Sequence, residues 1–97
     1  MKLPELRIGD LVCSLPIVQG GMGVGISLSG LASAVANEGG IGVIAGAMIG
    51  IGEPDAAKDP TGANIRALRR EIRNARASTD GAIGVNVMVA LTHSPDM

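Results

Sequence analysis

Three short runs of continuous apolar residues, separated by two segments of helical periodicity, constrain this chain more than any other feature. The runs are Leu15-Pro16-Ile17-Val18-Gln19, Ile41-Gly42-Val43-Ile44-Ala45 and Ala82 to Val89. Unbroken rather than alternating apolarity marks strands covered on both faces, as in parallel sheets. Between the first two runs, Leu28, Leu31, Ala32 and Val35 recur at i, i+3, i+4 and i+7, one apolar helix face. Ser27 and Ser29 offer N-caps, and Asn37-Glu38-Gly39-Gly40 offers a stop. A second helix is predicted from about Asn64 to Ala77, burying Ile65, Leu68, Ile72 and Ala75. Met48 to Gly62, rich in glycine, proline and aspartate, reads as a long loop, and loops of that length in compact α/β units are usually functional or mobile. Leu6 to Val12, with a turn at Gly9-Asp10, predicts a small β-hairpin ahead of the first run. Strand, helix, strand, helix, strand implies a parallel sheet with right-handed crossovers.

Composition decides what surrounds that framework. The chain has 97 residues and is 46% apolar, which suits one small folded domain and excludes disorder. It contains no Phe, Tyr or Trp, so its core falls to Ile, Leu, Val, Ala and Met. A net charge of −1 argues against nucleic acid or an anionic membrane surface as partner. Its one cysteine, Cys13, has no internal disulfide partner and fits a reducing compartment. Leu11 to Gly52 carries a single charge, Glu38, yet Pro16, Gln19 and many glycines and serines interrupt it; it never reaches the roughly 20 apolar residues of a membrane span. Met1 to Asp10 lacks the apolar stretch of a signal peptide, so a soluble, cytoplasmic protein is expected. Thr92 to Met97 is a polar tail with no helix after it. A barrel of eight βα units takes about 250 residues. The expectation is therefore a fold interrupted after its third strand, marginal in isolation and ready to self-associate through exposed sheet edges.

Among motifs, the turn after the first run is the most informative. Gly20, Gly21, Gly23 and Gly25 place four glycines in six residues, so backbone can approach a flat ligand at the carboxyl end of a strand, where α/β folds put their sites. A flexible strand–helix connection without a ligand fits the glycine count equally well. Gly25 to Gly30 has P-loop spacing, but Leu31-Ala32 stands where Lys and Ser or Thr are required. Gly40-Ile41-Gly42-Val43-Ile44-Ala45 satisfies G-x-G-x-x-A, yet its glycines enter a strand instead of leaving one. Asn86 is a polar residue inside an apolar strand; it faces away from Val85 and Val87, either bonding a neighbouring strand or facing a ligand. Arg66, Arg69, Arg70, Arg73 and Arg76 crowd the second helix with only Glu71 to offset them, which predicts a solvated outer face or, alternatively, an acidic partner surface. His93 reads as a surface imidazole and Cys13 as a packed side chain. No Ser-His-Asp, paired-carboxylate or metal-ligand constellation can be assembled, so no catalytic or metal residue is assigned.

The blocks Leu15 to Gly23, Gly39-Gly40-Ile41-Gly42-Val43-Ile44 and Gly84-Val85-Asn86-Val87 together resemble the nitronate monooxygenase (2-nitropropane dioxygenase) family, in order and over nearly the whole chain. That family also includes flavin-dependent enoyl-acyl-carrier-protein reductases. The resemblance implies an FMN-binding (β/α)₈ TIM barrel, with residues 1–97 as its N-terminal part: a short hairpin and about three βα units of one domain. It places the glycine-methionine turn, Gly21, Met22 and Gly23, against the isoalloxazine ring, and gives Asn86 a hydrogen bond to the flavin. It implies a monooxygenase oxidising alkyl nitronates with oxygen through FMN, which carries the hard chemistry while the protein positions it. The family's phosphate loops and catalytic histidine belong to later parts of the barrel, so the chain itself is expected to be an inactive piece. An enoyl-thioester reductase piece and a non-catalytic remnant or interaction fragment remain the alternatives.

Overall fold

The computed structural model describes residues 3–87. The chain opens with an antiparallel hairpin, β1 (Leu6–Ile8) and β2 (Leu11–Cys13), turning at Gly9-Asp10 as expected, with Leu6 opposite Cys13. Helix α1 (Ser29–Asn37), strand β3 (Ile41–Ala45), helix α2 (Pro60–Ser78) and strand β4 (Ala82–Asn86) follow. Strands β3 and β4 pair in parallel, Ile41 opposite Ala82 through Ala45 opposite Asn86. Parallel strands joined by a helix are the repeating unit of α/β sheets, an arrangement compatible with consecutive units of a βα barrel.

The first apolar run joins this sheet more lightly than its sequence predicts. Leu15 to Gln19 makes one parallel bridge, Val18 to Ile41. It is supported by the Leu15 N–H on the Gly39 carbonyl (3.2 Å), the Ile41 N–H on the Ile17 carbonyl (2.8 Å) and the Gln19 N–H on the Ile41 carbonyl (3.0 Å). Odd-numbered residues thus turn their backbone groups toward β3. Pro16, without an N–H, falls on the alternate positions that face away, the tolerated place for proline at a sheet edge.

Both helices bury alanine rather than the larger residues their periodicity nominates. In α1 the buried positions are Ala32, Ser33 and Ala36, while Leu31 is 43% exposed. In α2 they are Ala63, Ala67 and Ala75, and Ile65 is 52% exposed. The reason is close approach. A Cβ on Gly42 would run into the backbone of Ala32, and one on Gly50 into that of Ala63; at such spacing only small side chains fit the helix face. Ile44, fully buried, sits with Ala32 and Ala75 at the centre of the core, and Ile49, Leu68 and Ile83 pack around them.

Helix ends differ from expectation for similarly local reasons. Helix α2 begins four residues earlier than predicted, because the Asp59 side chain accepts the Gly62 N–H (3.0 Å) and Pro60 occupies the first turn, the paired signals of a helix start. Neither Ser27 nor Ser29 caps α1; Leu28 holds the N-cap position without a side-chain bond. The Ser29 N–H is instead accepted by Glu71 of α2 at 3.0 Å. At the other end of α1 the expected stop is present: Gly39 takes a φ of +101°, and the Gly39 and Gly40 N–H groups return to Ala36 and Val35. The predicted third strand is seen as β4 up to Asn86; Met88 and Val89, the polar tail and His93 lie outside the described residues.

The arginines of α2 are better neutralised than sequence spacing indicates. Glu53, from the loop after β3, accepts Arg66 at 3.0 Å and Arg70 at 3.4 Å, and Asp55 also pairs with Arg66. Asn64 Oδ1 accepts the Gly50 N–H at 2.8 Å, so this loop is fastened to α2 at three points. Hydrogen bonding to Arg66 holds both carboxyls below their ordinary values of 4.5 and 3.8 and raises Arg66. Carboxyls with lowered folded-state values contribute stability above the unfolded values and lose it as pH falls through the folded ones. Unfolding in urea is therefore expected to be flat from pH 7 to about 5 and to weaken below pH 4.5, with Arg66→Met flattening the acid limb. An unchanged acid limb in that variant would remove the loop cluster from the account.

Candidate functional site

The carboxyl ends of the three parallel segments converge on one small region built from the glycine turn, the start of the loop after β3, and Asn86. The glycine turn is held by Ser27, which is 1% exposed. Its hydroxyl accepts the Met22 N–H at 2.9 Å and the Gln19 side-chain N–H at 3.1 Å. The Ser27 N–H returns to the Met22 carbonyl at 2.9 Å, and the Ser27 carbonyl accepts the Ala45 N–H at 2.8 Å. Gly25 supplies the one left-handed φ inside this closure, +78°. A residue considered only as an N-cap therefore closes the turn onto the end of β3.

Gln19 is the second residue whose role the sequence did not reveal. Its carboxamide oxygen accepts the Val43 N–H at 3.0 Å, and its amide donates to the Val43 carbonyl at 3.2 Å. The side chain thus continues the ladder where the backbone has already turned away at Gly20. A glutamine at the end of an apolar run is the only signal available in the sequence, and that pattern has many other meanings.

Of the four residues assigned from the family resemblance, two meet directly. A Cβ on Gly21 would lie 2.7 Å from Asn86 Cβ and 3.0 Å from its Cγ, closer than real Cβ contacts, so glycine is what lets the turn rest against Asn86. Asn86 is anchored in β4 opposite Ala45, and its carbonyl accepts the Gly46 N–H at 3.0 Å. Its exposed side chain leaves the carboxamide accessible at the strand end. Gly23 stands over Ala47, where an added Cβ would make only ordinary contact with the Ala47 carbonyl at 3.7 Å. Met22 is 57% exposed at the tip of the turn.

The electrostatics of this end are neutral. No charged side chain occurs in residues 19–28, 42–52 or 82–87. Open backbone, one thioether and one carboxamide fit a flat, uncharged, hydrogen-bonding surface such as a flavin ring. They include no cationic side chain for a phosphate, and the N-terminus of α1 beside Ser27 already gives its Ser29 N–H to Glu71. Among the described residues no group of three or more His, Cys, Asp or Glu side chains could hold a metal ion, and no helix is long and apolar enough to cross a membrane.

The family model for nitronate monooxygenase matches residues 6–97. No curated protein matches the chain. The family match spans the hairpin, both βα units and β4, including the turn that rests on Asn86, and this chain belongs to the nitronate monooxygenase family of flavin-dependent oxidoreductases.

Proposed function

We propose that the chain forms the ring-facing wall of an FMN site in an enzyme that oxidises alkyl nitronates with oxygen. The observation that carries this reading is the contact of Gly21 with Asn86 at the carboxyl end of the parallel strands, in a region without charge. FMN, when bound, would supply the electron transfer between nitronate and oxygen. The chain's own residues bind and orient. Gly21 and Gly23 keep the turn free of side chains, Met22 offers a polarisable apolar surface, and the Asn86 carboxamide directs one hydrogen bond to the ring. Gln19 and Ser27 act through the others, as positioning residues, by fixing the turn on Val43 and Ala45. The phosphate is held by cationic groups outside this neutral end. Closure of the remaining strands into a (β/α)₈ barrel belongs to the same reading, because it would bring the Asn86 face into the barrel interior.

Titration of the chain with FMN, followed by flavin absorbance and fluorescence, tests the reading cleanly, since there is no Trp, Tyr or Phe to emit. Asn86→Ala is expected to weaken FMN about tenfold, the effect of losing one hydrogen bond of about 1–1.5 kcal/mol. Riboflavin is expected to respond to the same substitution by the same factor, because Asn86 addresses the ring and not the phosphate. Equal FMN affinity in the parent and the Asn86→Ala chain would sink the assignment.

A further inference from the structure

The connection from β3 to α2 is built of successive turns. The N–H groups of Ile49, Ile51, Glu53 and Ala56 each return to the carbonyl three residues earlier, at 2.9–3.3 Å. Glu53 and Asp55 tie these turns to Arg66 of α2, and Asn64 ties Gly50. Between them and the first turn of α2 lies a cleft of about 310 Å³, lined by Met48, Gly50, Ile51, Ala56, Pro60 and Thr61. None of these residues is charged, and Thr61 brings the one hydroxyl. Met48 is 42% and Ile51 57% exposed, so two large apolar side chains stand open to a ligand. Met48 also takes a φ of +53°, and it is the one non-glycine residue with a positive φ among those described. A Cβ disfavours that conformation, and backbone strain of this kind gathers at ligand sites.

The cleft starts where the surface around Asn86 and the glycine turn ends. Gly46 gives its N–H to the Asn86 carbonyl at 3.0 Å. The Ala47 carbonyl lies 3.7 Å from where a Cβ on Gly23 would stand. Met48 follows Ala47 directly, its Cα about 3.8 Å further on, and it forms the first wall of the cleft. All six lining residues belong to the β3–α2 connection or the first turn of α2, so the cleft is complete within one βα unit. Fixed turns give it a preset shape, and its walls offer carbon with almost no polar group, the surface that takes up a hydrocarbon chain.

We infer, resting on the flavin reading above, that this cleft receives the alkyl chain of the substrate and selects linear nitronates of several carbons over the smallest ones. The nitrogen-bearing carbon stays over the ring beside Gly21 and Asn86, while the carbon tail passes Met48 and lies along Ile51 and Ala56. Met48 and Ile51 are thus specificity-determining residues, and the strained backbone at Met48 sets its side chain at the mouth of the cleft.

Linear nitroalkanes, which share the carbon skeleton of the nitronates, test this by nuclear magnetic resonance on the full chain with its methionine and isoleucine methyl groups labelled. From nitropropane to nitrohexane, affinity read from the Met48 and Ile51 methyl shifts is expected to rise about threefold per added methylene, a little under the roughly fourfold of complete burial. Ile51→Asn and Met48→Gly are each expected to lower nitrohexane affinity about fivefold or more. Met48→Gly keeps the fold, because glycine accepts the left-handed φ without strain. Ile65→Asn, on the exposed face of α2, is expected to change nothing. In the FMN-loaded chain nitrohexane is expected to shift the visible band of the flavin, with more ligand needed after Ile51→Asn. Affinity independent of chain length, or lowered as much by Ile65→Asn as by Ile51→Asn, overturns the inference. So does a ligand that moves the methyl groups and leaves the band of bound flavin in place, since head and tail then occupy different sites. FMN that binds equally well without Asn86 sinks the flavin reading and the substrate assignment with it. A flat chain-length series beside Asn86-dependent FMN binding sinks the alkyl cleft alone.

Discussion

Gly42→Ala is expected to cost about 3 kcal/mol, the upper range for forcing a methylene into packed structure, and so to remove most of the stability of a domain this small. The collision is with the Ala32 carbonyl and its neighbouring backbone atoms, which cannot rotate aside as a side chain would. Relief requires α1 to move off β3, and that opens the centre of the core, where Ala32 and Ile44 are both fully buried. Gly84→Ala is the matched control. It lies opposite Val43 on the neighbouring strand, and its added Cβ would meet only Val43 and Ile41 methyl groups at 3.9 and 4.0 Å. Urea unfolding followed by far-ultraviolet circular dichroism should show a large loss for Gly42→Ala and less than about 1 kcal/mol for Gly84→Ala. Equal effects would mean that α1 does not rest on β3 as closely as described.

Gly21→Val is expected to lower FMN affinity about a hundredfold, or some 2.7 kcal/mol, with little change in folding. The new side chain would occupy the space of Asn86 Cβ and Cγ, so it would displace the carboxamide and add branched carbon to the surface proposed for the ring. Both residues are exposed, so the damage falls on the site and not on the core. Gly20→Ala is the control: an added Cβ there meets nothing within 4 Å, and flavin binding should be retained. In the Asn86→Ala background the Gly21→Val effect should shrink, because part of it acts through displacing that carboxamide. Full additivity of the two substitutions would separate Gly21 from Asn86 and break the proposed site into unrelated parts.

How much of this was legible beforehand depends on whether the determining interaction is local. The hairpin turn at Gly9-Asp10, the Gly39 helix stop and the strand–helix–strand order follow from backbone preferences that adjacent residues carry. The start of α2 was legible too, since Asp59-Pro60 is a cap and first-turn pair, but the glycine and proline content of the preceding residues suggested a loop running to Gly62. Helix faces were legible in part: Ala32 and Ala75 are buried as expected and Leu68 packs beside them. But periodicity ranks side chains by hydrophobicity and so also nominated Leu31 and Ile65, which are exposed. The sheet ranks them by size, and Gly42 and Gly50 draw the helices too close for leucine or isoleucine. The arginines of α2 looked unpartnered because Glu53 lies 13 residues from Arg66 and 17 from Arg70 in sequence.

The sequence by itself determined the order of elements, the parallel character of the strands, the glycine turn at a strand end and the family, because each rests on residue type within a few positions or on a string of such blocks. Tertiary structure alone decided that Gln19 pairs with Val43, that Ser27 locks the turn in place of capping a helix, and that Gly21 rests on Asn86 some 65 positions away. Those contacts exist only once two crossovers have brought the strand ends side by side, and no local preference encodes the distance between them.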